Sequence, residues 1–231
     1  MRHDMPGRQN SIIRLPVRRP SGSRRQERRA TQPPGRGVGS LPRYLTQDEL
    51  GRFRRAVVTG GSARDVALFG LMYRFGLRAS ETTTLLLEDL DLVRGRIQIR
   101  RAKGGDAKEY PIPRDLVPLL RRYVRKRPDK GPFLFAGRES NNQHGLRVLQ
   151  VQRLFKSYAA SAGLPPAVAS HSLRHSIAVH SLEEGFGLEY VADLLGHREI
   201  RSTAIYAKVT TPAREAMMKR LDRSRYVVSW N

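Results

Sequence analysis

One stretch of this chain breaks the pattern set by the rest. "RIQIRRAK", residues 96–103, alternates apolar and basic positions at period two, and "AKEYPIP", residues 107–113, repeats that texture after the Gly-Asp turn "GGD". Successive side chains of a strand point to opposite faces, so the two runs predict a small antiparallel hairpin. Almost everything around it follows the helical period instead. Thr46, with Glu49 three residues later, spells a capping box and starts a helix to about Val58. Ser62 caps a second helix whose stripe is Val66, Leu68, Phe69, Leu71 and Met72, and Gly76 stops it. A third, short helix is predicted from Ala79 to about Leu87. After the hairpin, helical patterning covers residues 114–127, 146–162, 171–184, 187–196, 200–209 and about 211–222, with "GPFLFAG" (131–137) as a short buried extended segment. The expected fold is mainly α with a small antiparallel β-sheet, an α+β domain.

Charge bounds the partner. Lys and Arg number 43 against 21 Asp and Glu, a formal +22, and such an imbalance repels itself unless a polyanion relieves it. Nucleic acid is the leading candidate. Residues 1–40 hold ten arginines, five prolines and five glycines against only Asp4 and Glu27, which reads as a disordered basic arm. Its scattered prolines argue against an amphipathic transit peptide. The remaining 33 basic and 19 acidic residues still leave 41–231 strongly positive. With no cysteine, neither a disulfide framework nor thiolate zinc ligation is available, which fits a reducing interior. The longest strongly apolar window, "VALFGLMY" (66–73), is far short of the ~18 residues of a membrane span. A soluble, cytoplasmic, nucleoid-associated protein is expected.

The second half carries the chemistry. In "HSLRHS" (171–176), His171 and Arg174 stand three apart, so a helix presents both on one face. Arginine offers a planar fork that matches a phosphate, and histidine can donate a hydrogen bond or trade a proton near neutral pH. His197 in "LLGHRE" emerges where Gly196 ends a helix, and Tyr206 follows nine residues later. A phenol of pKa about 10 is a poor nucleophile unless cations stabilise its anion. Taken singly, each feature has a plainer explanation: a solvated helix face for His171 and Arg174, an amphipathic core residue for Tyr206. His171 and His175 have the i, i+4 spacing of a metal pair but lack a third ligand, so no metal is expected. His175 and His180 read as packing or hydrogen-bonded structural residues, and His144 as a loop residue.

The string "HSLRHSIAVHSLEEGFGLEYVADLLGHREIRSTAIYAKV" resembles the C-terminal signature of the tyrosine recombinase, or phage integrase, family: His-x-x-Arg-His, a Gly-containing turn, Leu-Gly-His, then Tyr. Upstream, "YRFGLRASETTTLLLEDLD" resembles the family's first catalytic-arginine segment, and "IRRAKGGDAKEYPIP" looks like the hairpin carrying its lysine. The resemblance implies the catalytic-domain fold of the DNA breaking-rejoining enzymes over residues 41–210. It further implies the arginine pair Arg78 and Arg174, the histidines His171 and His197, the lysine Lys103 and the nucleophile Tyr206. Glu81 would orient the arginines, or serve only as a first-turn carboxylate favoured by the helix dipole. Lys108 is the alternative lysine, because the family hairpin usually has fewer residues between its two lysines and an arginine where Tyr110 stands.

The implied reaction is cleavage and rejoining of DNA through a 3′-phosphotyrosine, needing neither cofactor nor metal, by a homotetramer on DNA. Residues 211–231 would form a C-terminal helix and tail that docks on a neighbouring protomer or packs on its own domain. Members usually carry a core-binding domain ahead of the catalytic one; only a 40-residue arm stands there, as in the short invertases of the family or in a truncated relative. Two other classes remain open: DNA relaxation of the type IB topoisomerase kind, and a basic DNA binder without chemistry, which would leave the ordered Arg, Lys, His-x-x-Arg, His, Tyr series to chance.

Overall fold

The computed structural model describes residues 42–101, 107–127, 131–137, 145–197 and 199–206, and of the remainder only 215, 218–220, 222 and 223. All of these belong to one compact unit, Val38–Asn231. The first helix, α1 (Gln47–Gly60), starts at the expected capping box: the Thr46 hydroxyl takes the Glu49 N–H, and the Glu49 carboxylate takes the Thr46 N–H at 2.9 Å. Ser62 caps α2 (Ala63–Arg74), which buries Ala67, Leu68, Phe69, Leu71 and Met72. Gly76 then turns the chain at φ +57°, a conformation unfavourable to any residue with a Cβ.

The third helix, α3 (Ala79–Thr83), ends four residues earlier than the periodicity predicts. Thr82, Thr83 and Thr84 each turn a hydroxyl back onto a carbonyl three or four residues before, which offers the backbone another partner and weakens the helix. Residues 85–87 pair instead with 132–134, so "GPFLFAG" is extended as expected, with Leu134 and Phe135 buried.

The hairpin is β2 (Arg96–Arg100) and β3 (Ala107–Pro111), with Gln98 opposite Glu109; its turn lies outside the described residues. A two-residue strand, β1 (Leu90–Asp91), adds to the free edge of β2, giving a sheet ordered β1-β2-β3 that the sequence pattern did not announce. Ile97 and Ile99 enter the core, and Arg96, Gln98 and Arg100 face out.

The sheet is followed by α4 (Leu116–Lys126), α5 (Val148–Ser161), α6 (Ser170–Glu183) and α7 (Leu188–Leu195). An aromatic group of Phe53, Phe69 and Phe155 joins α1, α2 and α5. A second, smaller apolar cluster unites Ala178, Val179 and Leu182 of α6 with Val191 and Leu195 of α7, and Tyr206 belongs to it. The predicted helix at 200–209 is corrected: the described part is two tight turns, Ile200–Ser202 and Ala204–Tyr206, closed by i→i−3 bonds. The predicted helix at 211–222 lies almost wholly outside the described residues. Among the described residues no helix is long and apolar enough to cross a membrane.

Candidate active site

Glu81 is the point to which the site is tied. Arg78 stands immediately before α3, and Glu81, in the first turn, accepts the Arg78 main-chain N–H at 2.8 Å and its Nη1 at 2.6 Å. The helix start therefore fixes the guanidinium as well as the backbone. Arg174 enters from α6, its Nη1 donating to the Gly76 carbonyl at 2.6 Å and its Nη2 to the Leu195 carbonyl at 2.7 Å, while Nη1 stands 3.9 Å from Glu81 Oε2. Arg174 is only 1% exposed and Glu81 3%. Burial pushes the Glu81 carboxyl up, but the Arg78 N–H and the guanidiniums of Arg101, Arg78 and Arg174 outweigh it and hold the group below the usual carboxylate range. Burial, then Arg78, pushes Arg174 down to about 10, which still leaves it charged at neutral pH.

A third guanidinium completes this cluster and was absent from the expected set. Arg101, just past β2, donates Nη1 to Glu81 Oε2 at 3.2 Å and Nη2 to the carbonyls of Phe75, at 2.9 Å, and Leu194. The signal existed in the sequence: counting by two from Ile97 and Ile99 puts residue 101 on the core face, a position for an arginine only if a buried acid awaits it. Gly196, at φ +63°, ends α7 against this side chain; a Cβ there would meet Arg101 Cγ at 2.4 Å.

The other expected residues gather from α6 and beyond. His171 is exposed one turn before His175, and the two rings meet edge to face at 4.8 Å. Desolvation, then Arg174 and Arg78, lowers the pKa of His171. His197, released by the Gly196 turn, shares its Nδ1 with the Thr203 hydroxyl at 2.8 Å. Burial and the guanidiniums of Arg174, Arg78 and Arg101 push it down to about 4, so this imidazole is neutral at pH 7.

Tyr206 is 1% exposed, and burial raises its phenol to about 12 against the opposing pull of Arg174 and Arg78. Its hydroxyl lies 2.5 Å from Nδ1 of His175, a residue that the sequence marked only as structural. Glu81 thus pairs with both Arg78 and Arg174, and His171, His197 and Tyr206 lie within the field of the two arginines. Lys103 lies outside the described residues. Lys108, the alternative, is exposed on β3 with its ammonium bound to the Asp193 carboxylate of α7, which raises its pKa.

Residues 43–212 match the phage integrase family. Tyrosine recombinase XerA of Pyrococcus furiosus is 36% identical over 171 residues, a match covering 74% of this chain and 59% of that relative. The type 1 fimbriae regulatory protein FimE of Escherichia coli is 35% identical over 173 residues, covering 72% of this chain and 86% of FimE. The fold matches the crystal structure of XerA recombinase with a TM-score of 0.66 at 25% identity, over 84% of this chain and 68% of that one. The chain spans less than two thirds of the length of the XerA sequences from Pyrococcus. With three arginines tied to one buried acid, and with that match reaching across three quarters of its length, this chain belongs to the phage integrase family, in which it supplies a tyrosine recombinase catalytic domain.

Proposed function

We propose that this chain is a site-specific DNA recombinase of the integrase or invertase type, which cuts and rejoins double-stranded DNA through a 3′-phosphotyrosine. One observation carries the reading: the phenol of Tyr206 lies in the field of Arg78 and Arg174, two guanidiniums held by the same carboxylate. A guanidinium has five N–H donors, and main-chain carbonyls occupy two of those of Arg174, so others remain for phosphate oxygens. As charge builds on the phosphorane, both arginines neutralise it, a contribution worth several kcal/mol in a site shielded from water. Tyr206 attacks the phosphorus, the bond to the 5′-oxygen breaks, and Lys103 delivers a proton to that oxygen. Lys108 is less suited to this because Asp193 already engages its ammonium. His171 and His197 hold the phosphate and assist proton transfer, and Glu81 keeps the arginines in register.

The bond energy stays in the tyrosyl ester, so rejoining to a new partner needs no nucleotide. The protein acts as a homotetramer on DNA in the cytoplasm, associated with the nucleoid. Residues 1–40 add a basic arm, and residues 211–231 a C-terminal helix for protomer contacts. Duplexes selected from a random pool by binding, then nicked beside the scissile position, test the chemistry. The wild-type chain forms a covalent adduct, and Tyr206→Phe binds the same duplex yet forms none; an undiminished adduct would remove Tyr206 as the nucleophile. Recombinant or inverted products distinguish this activity from simple relaxation, which yields relaxed circles alone.

A further inference from the structure

We infer that His175 is a further catalytic residue of this site, the base that takes the phenol proton of Tyr206 as its oxygen attacks phosphorus. The inference rests on Tyr206 being the nucleophile. Its carrier is geometric: Nδ1 of His175 meets the Tyr206 hydroxyl at 2.5 Å, with ring centroids 5.8 Å apart. Both partners are held in place, His175 by the middle of α6 and Tyr206 by its membership of the smaller apolar cluster of α6 and α7. A phenol is a stronger acid than a neutral imidazole N–H, so the O–H donates and Nδ1 accepts.

The nucleophile needs such a partner. With its pKa near 12, unassisted Tyr206 is phenolate in only about one molecule in 10⁵ at pH 7. Among the described residues, Nδ1 of His197 meets Thr203, Lys108 is bound to Asp193, and His171 is exposed with its ring against the edge of His175, whereas Nδ1 of His175 is the nitrogen that stands at the Tyr206 hydroxyl. Arginines do not accept protons at this pH.

The step balances. The Tyr206 O–H bond breaks and its proton moves to Nδ1, converting neutral imidazole to imidazolium; the oxygen forms the bond to phosphorus as the bond to the 5′-oxygen breaks. In rejoining, the departing phenolate recovers that proton.

His175→Asn places an amide oxygen near the position of Nδ1, which accepts the hydrogen bond but not the proton. On the selected nicked duplex, single-turnover adduct formation by His175→Asn and His175→Ala is expected to fall about 10²- to 10⁴-fold with binding retained, and free imidazole partly restores His175→Ala. Wild-type rates in His175→Asn reduce the contact to positioning and overturn the inference, and faster adduct formation in either variant makes it a restraint and does the same. Tyr206→Phe is the control: if its adduct persists, the nucleophile assignment fails; if it is lost while the His175 variants react normally, only the present inference fails. Nitrogen NMR of the unsubstituted protein is independent of how the variants fold. An unprotonated, hydrogen-bond-accepting Nδ1 on His175 near pH 7 supports the assignment, and a protonated Nδ1 overturns it.

Discussion

At the scale of single residues, Glu81 decides whether the site is a cluster or an assortment. As a first-turn carboxylate helped only by the helix dipole, it would contribute about 1 kcal/mol or less. Buried against Arg78, Arg101 and Arg174, it neutralises charges that would otherwise confront each other in a medium of low polarity. Glu81→Gln keeps the shape and the acceptor but removes the charge, and it should destabilise the fold by about 3 kcal/mol in denaturant titrations. A loss under 1 kcal/mol would return Glu81 to the helix-start role.

His197 makes a separate residue-scale prediction. Unfolded, its ring protonates near pH 6.5; folded, burial and the neighbouring guanidiniums delay protonation to about pH 4. Between those values the unfolded chain binds more protons, so stability is lost as the solution is acidified through that window. Allowing for solvent screening of a half-exposed ring, the loss is about 1–2 kcal/mol. Thermal melts of His197→Asn across the same window should show a shallower decline.

At the scale of elements, the arrangement of α7, the following turns and the β2 end sets the site, and here the sequence was unevenly legible. The capping box at Thr46, the Ser62 cap and the β2–β3 hairpin were readable because each depends on neighbours a few residues apart. The residues 78, 174, 197 and 206 were readable only together, as an ordered series. Contacts across the fold were not: the Arg101–Leu194 and His175–Tyr206 pairings join residues 93 and 31 positions apart. The stretch 200–206 misled because its apolar spacing fits a helix, while its closing bonds span three residues. Gly196 is the element-scale test. Gly196→Ala requires φ +63° and drives a methyl into Arg101, so a loss of more than about 2 kcal/mol is expected, with reduced adduct formation as His197 shifts. A melting temperature within a degree of wild type would show that the α7 end can relax without harm.

For the whole molecule, charge sets the terms on which the proposed DNA partner would be held. With +22 overall and ten arginines in residues 1–40, affinity should fall steeply and linearly on a log–log scale as salt rises. Deleting residues 1–40 should flatten that slope by several units while leaving single-turnover adduct formation at saturating DNA nearly unchanged. An unchanged slope would exclude the arm from phosphate contact. The same experiment separates holding DNA from acting on it, since the described acid, arginines, histidines and tyrosine all lie after residue 40.

Arg174 is gripped by the carbonyls of Gly76 and Leu195, atoms that every amino acid possesses. No side-chain replacement at either position deletes an acceptor, provided the backbone path is kept. Sequence can therefore drift at both positions while the guanidinium of Arg174 keeps its mooring.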